Sequence, residues 1–244
     1  MKRTTKAAAT ILIAGCMACA CALTACGSVA LDPNTIFSDT SGVTVSGKKV
    51  SFPEKHQAKT FKDGTTTEGF SVTYTVKGDR QDYLWVNSGG LYVEQTNGLW
   101  YNIVIFHTPW RDAVNENAFA QVWIVQGSTD PEDEEGNAFA QDSTGASYTT
   151  ALPFSVSSNP ITVEIAYYQS AYYIRLDHTV SVKIDDSSNI ENSIRIDTEK
   201  FFSEGERRLG FRTAETPATF SNINYEIGNE AALKAIKRMG LSVD

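Results

Sequence analysis

The chain has 244 residues and a formal net charge of −8, from 21 Lys and Arg against 29 Asp and Glu. An acidic balance of that kind makes nucleic acid and anionic headgroups poor partners, and the length suits one domain with a sizeable core. All four cysteines, Cys16, Cys19, Cys21 and Cys26, fall within the first 26 residues, so the remainder has no thiol for a disulfide, a zinc site or a nucleophile.

The chain opens on Lys2, Arg3 and Lys6, followed by an uncharged, Ala-rich stretch from Ala7 to Ala25. A cationic end ahead of a short apolar run with small residues at its close is the pattern of an export leader. The residues Leu23-Thr24-Ala25-Cys26 resemble the lipobox of bacterial lipoproteins. The resemblance implies cleavage before Cys26, acylation of its sulfur (palmitate or a related chain) and a cell-membrane protein, lipid-anchored and facing the outside of the cytoplasm. Of the 21 basic residues three lie in this leader, so the exported chain carries 18 against 29 acids, a formal net of −11.

The expected organisation is therefore a signal peptide over 1–25, a lipidated tether over 26–45 rich in Gly, Ser, Asp and Asn, and a folded domain over 46–244. Within the domain, apolar residues alternate with polar ones at Phe70–Val76, Ile161–Ile165, Tyr172–Leu176 and Val180–Ile184, which is the period of half-buried strands. Leu99–Phe106 and Phe119–Val125 are aromatic and β-branched on both faces and read as central strands covered on each side. Turn signals stand at Lys77-Gly78-Asp79, Asn87-Ser88-Gly89-Gly90, Asn97-Gly98 and Asp185–Asn189, with Asn97-Gly98 predicting a two-residue hairpin. Strands of this number and spacing predict an all-β, antiparallel two-sheet sandwich. One helix is expected at 229–239, capped by Asn229, stopped by Gly240 and docked through Ala232, Leu233 and Ile236.

Ile161–Leu176 with its Tyr167-Tyr168-Gln169-Ser170 turn, then Leu209-Gly210-Phe211-Arg212 and Ala218-Thr219-Phe220-Ser221-Asn222-Ile223, resembles the closing strands of the concanavalin A-like lectin/glucanase superfamily. The resemblance implies a jelly-roll sandwich, often carbohydrate-binding and sometimes a glycoside hydrolase or polysaccharide lyase. A retaining hydrolase needs an acid and a nucleophile about 5 Å apart, commonly as Glu-x-Asp-x-x-Glu on one strand, and that string does not occur here. The expectation is thus a non-catalytic glycan-binding or adhesion domain without cofactor or metal. The alternatives are a hydrolase or lyase of the same fold and a structural envelope lipoprotein without a ligand.

Sugar rings stack on Trp or Tyr while their hydroxyls accept hydrogen bonds from Arg and Asn and donate to Asp and Asn. Trp110, Arg111 and Asp112, in the segment after the Leu99–Phe106 strand, have that chemistry, and Tyr168 with Tyr173 could form a second platform. Trp85, Trp100 and Trp123 read as core. The acidic run Asp130–Gly136 reads as a solvated loop rather than a calcium site, and Asp177-His178, beside a strand, does not read as a catalytic pair.

Overall fold

The computed structural model describes residues 30–78, 86–96, 98–108, 119–127, 144–149, 160–178, 180–186, 198–214 and 216–243. Seven strands form one sheet: β1 (Thr44–Ser46), β2 (Lys49–Phe52), β4 (Phe70–Gly78), β9 (Ile161–Tyr168), β10 (Ala171–Leu176), β11 (Val180–Ile184) and β13 (Ala218–Ile227), in the order β1-β2-β13-β4-β9-β10-β11. Six form the other: β3 (Ala58–Thr66), β5 (Val86–Gln95), β6 (Trp100–Thr108), β7 (Phe119–Gly127), β8 (Thr144–Thr149) and β12 (Arg207–Arg212), in the order β3-β12-β5-β6-β7-β8. Neighbouring strands pair antiparallel throughout, giving the two-sheet antiparallel sandwich that the number and spacing of the strands predict. Among the described residues three short helices accompany it: α1 (Pro33–Ile36), α2 (Thr198–Phe202) and α3 (Asn229–Arg238).

Alternation sorts side chains between the sheets as period two requires. Val72, Tyr74 and Val76 of β4 and Val163, Ile165 and Tyr167 of β9 face Leu91 and Val93 of β5, Tyr101 and Ile103 of β6, and Leu209 and Phe211 of β12 in one buried cluster. Phe211 stacks on Phe220 of β13 with ring centroids 4.3 Å apart and planes within 2° of parallel, bolting the sheets together. Phe61 of β3 meets the same Phe211 edge-on at 5.1 Å.

Several local expectations are corrected. The segment read as a tether over 26–45 is docked from Leu31 onward, whose amide donates to the Ile223 carbonyl at 2.8 Å. Asp32 Oδ1 accepts from the Asn34 amide at 3.0 Å and Pro33 starts α1, so a single turn folds at a point where composition suggested coil. That turn delivers Ile36 and Phe37 to the core, where the Phe37 ring contacts Phe52, Phe61 and Phe211. Burial of two large apolar side chains outweighs the coil preference of their polar neighbours.

The stretch Asn87–Gly90 is not a turn but an irregularity within β5, with the register shifting between Asn87 and Gly90 and Gly89 at φ +126°. The β5–β6 hairpin has three residues in its loop rather than two, because Gln95 accepts and donates across to Gly98 and Leu99, with Gly98 at φ +81°. At α3, Gly228 rather than Asn229 occupies the cap; the Asn229 side chain reaches back to accept from the Gly69 amide at 2.8 Å. Ala232, Ala235 and Ile236 are buried, whereas Leu233 is 37% exposed. Gly240, at φ +75°, closes the helix, with its amide bonded to Lys237 O and that of Leu241 to Ile236 O.

Candidate functional site

The two outer faces of the sandwich are built differently. On the seven-stranded sheet, α3 lies across β9 and β4, and Ala166, Ala171 and Tyr173 pack against Ala235, Ile236 and Met239. Tyr173 is 2% exposed beneath the helix, so the platform expected from Tyr168 and Tyr173 has no open tyrosine face at 173; Tyr168 is half-buried at the rim of the same cluster. The helix that covers it is the physical reason: an apolar α3 face buries more area on Tyr173 than solvent would leave. Glu164, buried between sheet and helix, accepts from Arg175 Nε and, at 3.1 Å, from Arg238 Nε. His178 Nδ1 stands 4.0 Å away. Asp177 and His178 occupy the β10–β11 turn at φ +43° and +60°, where Asp177 Oδ1 accepts from the Thr162 amide at 2.7 Å, so both serve the turn.

The six-stranded sheet carries a polar and aromatic outer layer. Along β6, Tyr101 and Ile103 point into the core, which places Trp100, Asn102 and Val104 on the opposite side. By register Trp100 stands against Glu94, Asn102 against Tyr92 and Val104 against Gly90, with Arg212 of β12 beyond Gly90. Tyr92, Trp100, Asn102, Val104 and Arg212 are between 0% and 2% exposed, so this strand is covered on both sides, as its double apolar character predicted. The Trp100 indole reaches over β7, where a Cβ on Gly127 would come within 2.1 Å of the ring; only glycine lets it lie there.

The Arg212 guanidinium sits 4.4 Å from the Trp100 ring centroid and donates to the Thr213 carbonyl at 3.2 Å. The Tyr92 ring lies 6.1 Å from Trp100. Asn102 Nδ2 donates to the Arg212 carbonyl at 3.3 Å, while its enclosed Oδ1 accepts nothing. A buried amide oxygen without a donor costs roughly 1–3 kcal/mol. The layer thus combines two aromatic rings, a guanidinium and an amide with spare acceptor capacity.

A second buried cation, Arg207, joins the sheets at one end of the core. Its guanidinium lies 3.8 Å over the Tyr167 ring and donates to Tyr167 Oη at 2.6 Å, to Gly205 O at 2.9 Å and to Ser203 O. Burial pushes the Tyr167 phenol up, and the neighbouring Arg207 charge opposes that shift. The cleft beside it, lined by Gln95, Thr96, Ser203, Glu206 and Arg207, holds about 90 Å³. Ligand pockets run to about 300–1,000 Å³, so this cleft is too small for a sugar ring, and Arg207 acts as a clasp between sheets.

Trp110, Arg111 and Asp112 lie outside the described residues, as do Cys26, Trp85, the acidic run Asp130–Gly136 and the leader. Among the described residues no group of three His, Cys, Asp or Glu could hold a metal, and no helix is long and apolar enough to cross a membrane. The candidate-site residues that the sequence does not single out are Tyr92, Asn102 and Arg212, together with Trp100, which reads as core. Asn102 was the available signal, a lone amide inside an otherwise apolar strand.

No family model matches the chain, and no curated protein matches it by sequence. Solved structures with similar arrangements include a functionally unknown protein from Saccharomyces cerevisiae (12% identity, TM-score 0.44, covering 77% of this chain and 92% of that one). Others are the carbohydrate-binding module CBM66 from Bacillus subtilis (12%, 0.43, 80% and 92%) and the VIP36 exoplasmic/lumenal domain in a Ca2+/Man3GlcNAc-bound form (10%, 0.43, 80% and 87%). At such identities and scores neither ligand nor activity transfers, and the architecture stands on this chain's own strand pairing.

Proposed function

We propose that this chain is a lipid-anchored, non-catalytic carbohydrate-binding sandwich outside the cytoplasm, with the outer layer of the six-stranded sheet as its glycan site. The observation that carries the reading is the buried set of Trp100, Arg212 and Asn102, in which the Asn102 Oδ1 lacks a donor. A sugar's hydroxyls would supply the donor that the amide oxygen lacks, and its flat apolar face has the chemistry to stack on an aromatic ring such as Trp100 or Tyr92. Leu23–Cys26 supports the anchoring, through its likeness to a lipobox.

Hydrolysis has less support. Of the two carboxylates on the six-stranded sheet's described strands, Glu94 of β5 stands against Trp100 whereas Asp63 of β3 lies beside Tyr225 of β13, so the layer does not bring together the pair that cleavage requires. Because the layer is covered, a ligand must gain access to it, and the apparent affinity is lowered by the fraction of molecules that are open. The test is a glycan array on detergent-purified protein, followed by calorimetry on Trp100→Phe, Trp100→Ala and Trp110→Ala. Binding that survives Trp100→Phe in part and is lost in Trp100→Ala supports this face. Loss in Trp110→Ala alone moves the site to the segment after β6, and a wild type that binds no glycan returns the chain to a structural envelope lipoprotein.

A further inference from the structure

We infer that the sandwich is seated directly on the bilayer that holds its anchor, with the Leu31 edge and the β1–β2 turn facing the lipid, rather than carried off the surface on a tether. The inference rests on acylation at Cys26. Its argument is the length of chain between that anchor and the first residue fixed to the fold. Leu31 is held by the bond from its amide to the Ile223 carbonyl, and α1 and Phe37 are packed immediately after it.

Five residue steps separate Cys26 from Leu31, which at about 3.3–3.6 Å per step gives a reach of at most about 18 Å, whatever conformation the intervening residues adopt. A tether running to residue 45 would reach about 70 Å when extended and about 25 Å as a flexible coil. The folded part, about 210 residues, has an expected radius of gyration near 17 Å, so it is about 40 Å across. A link shorter than half the width of the body it carries cannot let that body turn over.

The residues around Leu31 then define the facing surface. Ser221 pairs with Lys49, two positions before Ile223 on β13, so Leu31 continues the edge where β2 begins. The β1–β2 turn, Gly47-Lys48, closes the Ser46↔Lys49 pair, which places Lys48 within about 10 Å of Leu31. Lys48 and Lys49 are exposed, as is Asp32 on the other side of Leu31. The exported chain's net charge of −11 opposes contact with anionic headgroups. The seat is therefore set by covalent reach, with the two lysines placing local positive charge where the lipid is. The opposite edge of the sheet, β11 with exposed Asp186 just after it, lies five strand spacings from Leu31, about 25 Å or more away.

Two full-length variants test this, Lys48→Cys and Asp186→Cys, each purified in detergent after processing, labelled with a fluorophore and reconstituted into phosphatidylethanolamine–phosphatidylglycerol vesicles carrying a headgroup quencher. The leader thiols are removed and the Cys26 thiol is blocked if the anchor is as proposed, so each variant carries a single label. The Lys48→Cys label should be quenched several-fold more than the Asp186→Cys label, and ten Gly/Ser residues inserted between Val29 and Ala30 should abolish the difference while the protein still sediments with vesicles. Equal quenching at both positions without the insertion overturns the inference and leaves the anchor standing. A wild type that fails to sediment, like Cys26→Ala, instead overturns the anchor itself.

Discussion

The outer faces of the two sheets both bury charge, but they balance it differently. Under α3, Glu164 is shared by Arg175 and Arg238, and the Arg175 guanidinium also donates to the Arg238 carbonyl at 2.7 Å, tying helix to sheet. Apolar Ala166, Ala171 and Tyr173 fill the remaining contact. On the six-stranded sheet, Arg212 leans on an indole and Asn102 leaves an acceptor unused. A face whose buried polar groups are matched within the chain is complete as a piece of structure. One that leaves capacity unspent holds a cost that a ligand could relieve.

The largest test of this contrast is Glu164→Ala. Removing one partner of a buried pair leaves cations enclosed without an opposing charge, and such changes cost about 3–5 kcal/mol. Arg238 is half exposed, which lets it return to water, so the lower end of that range is expected. Chemical denaturation should show the loss, and Glu164→Ala should leave glycan affinity in the folded protein unchanged. A drop in affinity at fixed fold would mean that the two faces are coupled rather than independent.

Asn102→Leu makes the reverse prediction. Leucine keeps the branched outline and removes the unmatched oxygen, but it is larger and also takes away the Nδ2 donor to the Arg212 carbonyl, so these effects offset in part and stability should fall by no more than about 2 kcal/mol, less than for Glu164→Ala. Glycan affinity should fall about tenfold, the worth of one hydrogen bond in an enclosed site. If stability falls by several kcal/mol with no change in binding, the amide is a structural member and the proposed site is misplaced.

This same residue shows where sequence reading stops. The strands at Phe70–Val76, Ile161–Ile165 and Tyr172–Leu176 were legible because one face of each is apolar and the other mixed, which sets both existence and orientation. In β6 both faces are covered, so alternation carries no sign, and Trp100 could be read as core without telling which side of the sheet it covers. The docked N-terminal segment was illegible for another reason. Ile36 and Phe37 are two apolar residues in a polar stretch, and their burial depends on a pocket built by Phe52, Phe61 and Phe211 from distant parts of the chain. Tyr173 was misjudged because its covering element, α3, lies about 60 residues later in sequence.

A carboxylate on neither face calibrates these effects. Asp39 is held down to about 2 by the Ser41 hydroxyl and amide first, and then by Lys59, which donates to it at 3.1 Å. Its folded value lies below the ordinary one near 4, so the stabilisation is present above about pH 4 and is lost as pH falls through about 2. Asp39→Asn should flatten the stability curve in that acid window and nowhere else. Because Asp39 is fully exposed, the change should be smaller than that of Glu164→Ala, and salt should shrink it further. A comparable loss at neutral pH and high salt would mean that Asp39 supports the N-terminal segment by its shape rather than its charge.

The smallest effect is expected at the turn joining β9 to β10, under the face that α3 covers. Tyr168 pairs with Ala171, leaving Gln169 and Ser170 as a two-residue loop at φ +46° and +59°. Both φ values positive is the arrangement of a type I′ turn, whose twist matches the flanking strands and which favours Asn at its first position. Glutamine tolerates positive φ poorly, whereas asparagine is several-fold enriched there. Gln169 is exposed, so shortening it by one methylene forfeits no packing. Gln169→Asn should therefore stabilise the protein by about 0.5 kcal/mol, visible as a small rise in Tm, by relieving backbone strain alone. Glycan binding should not move, since the turn belongs to the face whose polar groups are already matched. A gain in affinity alongside the gain in stability would show that tightening one sheet alters the other, and the separation of a structural face from a binding face would have to be given up.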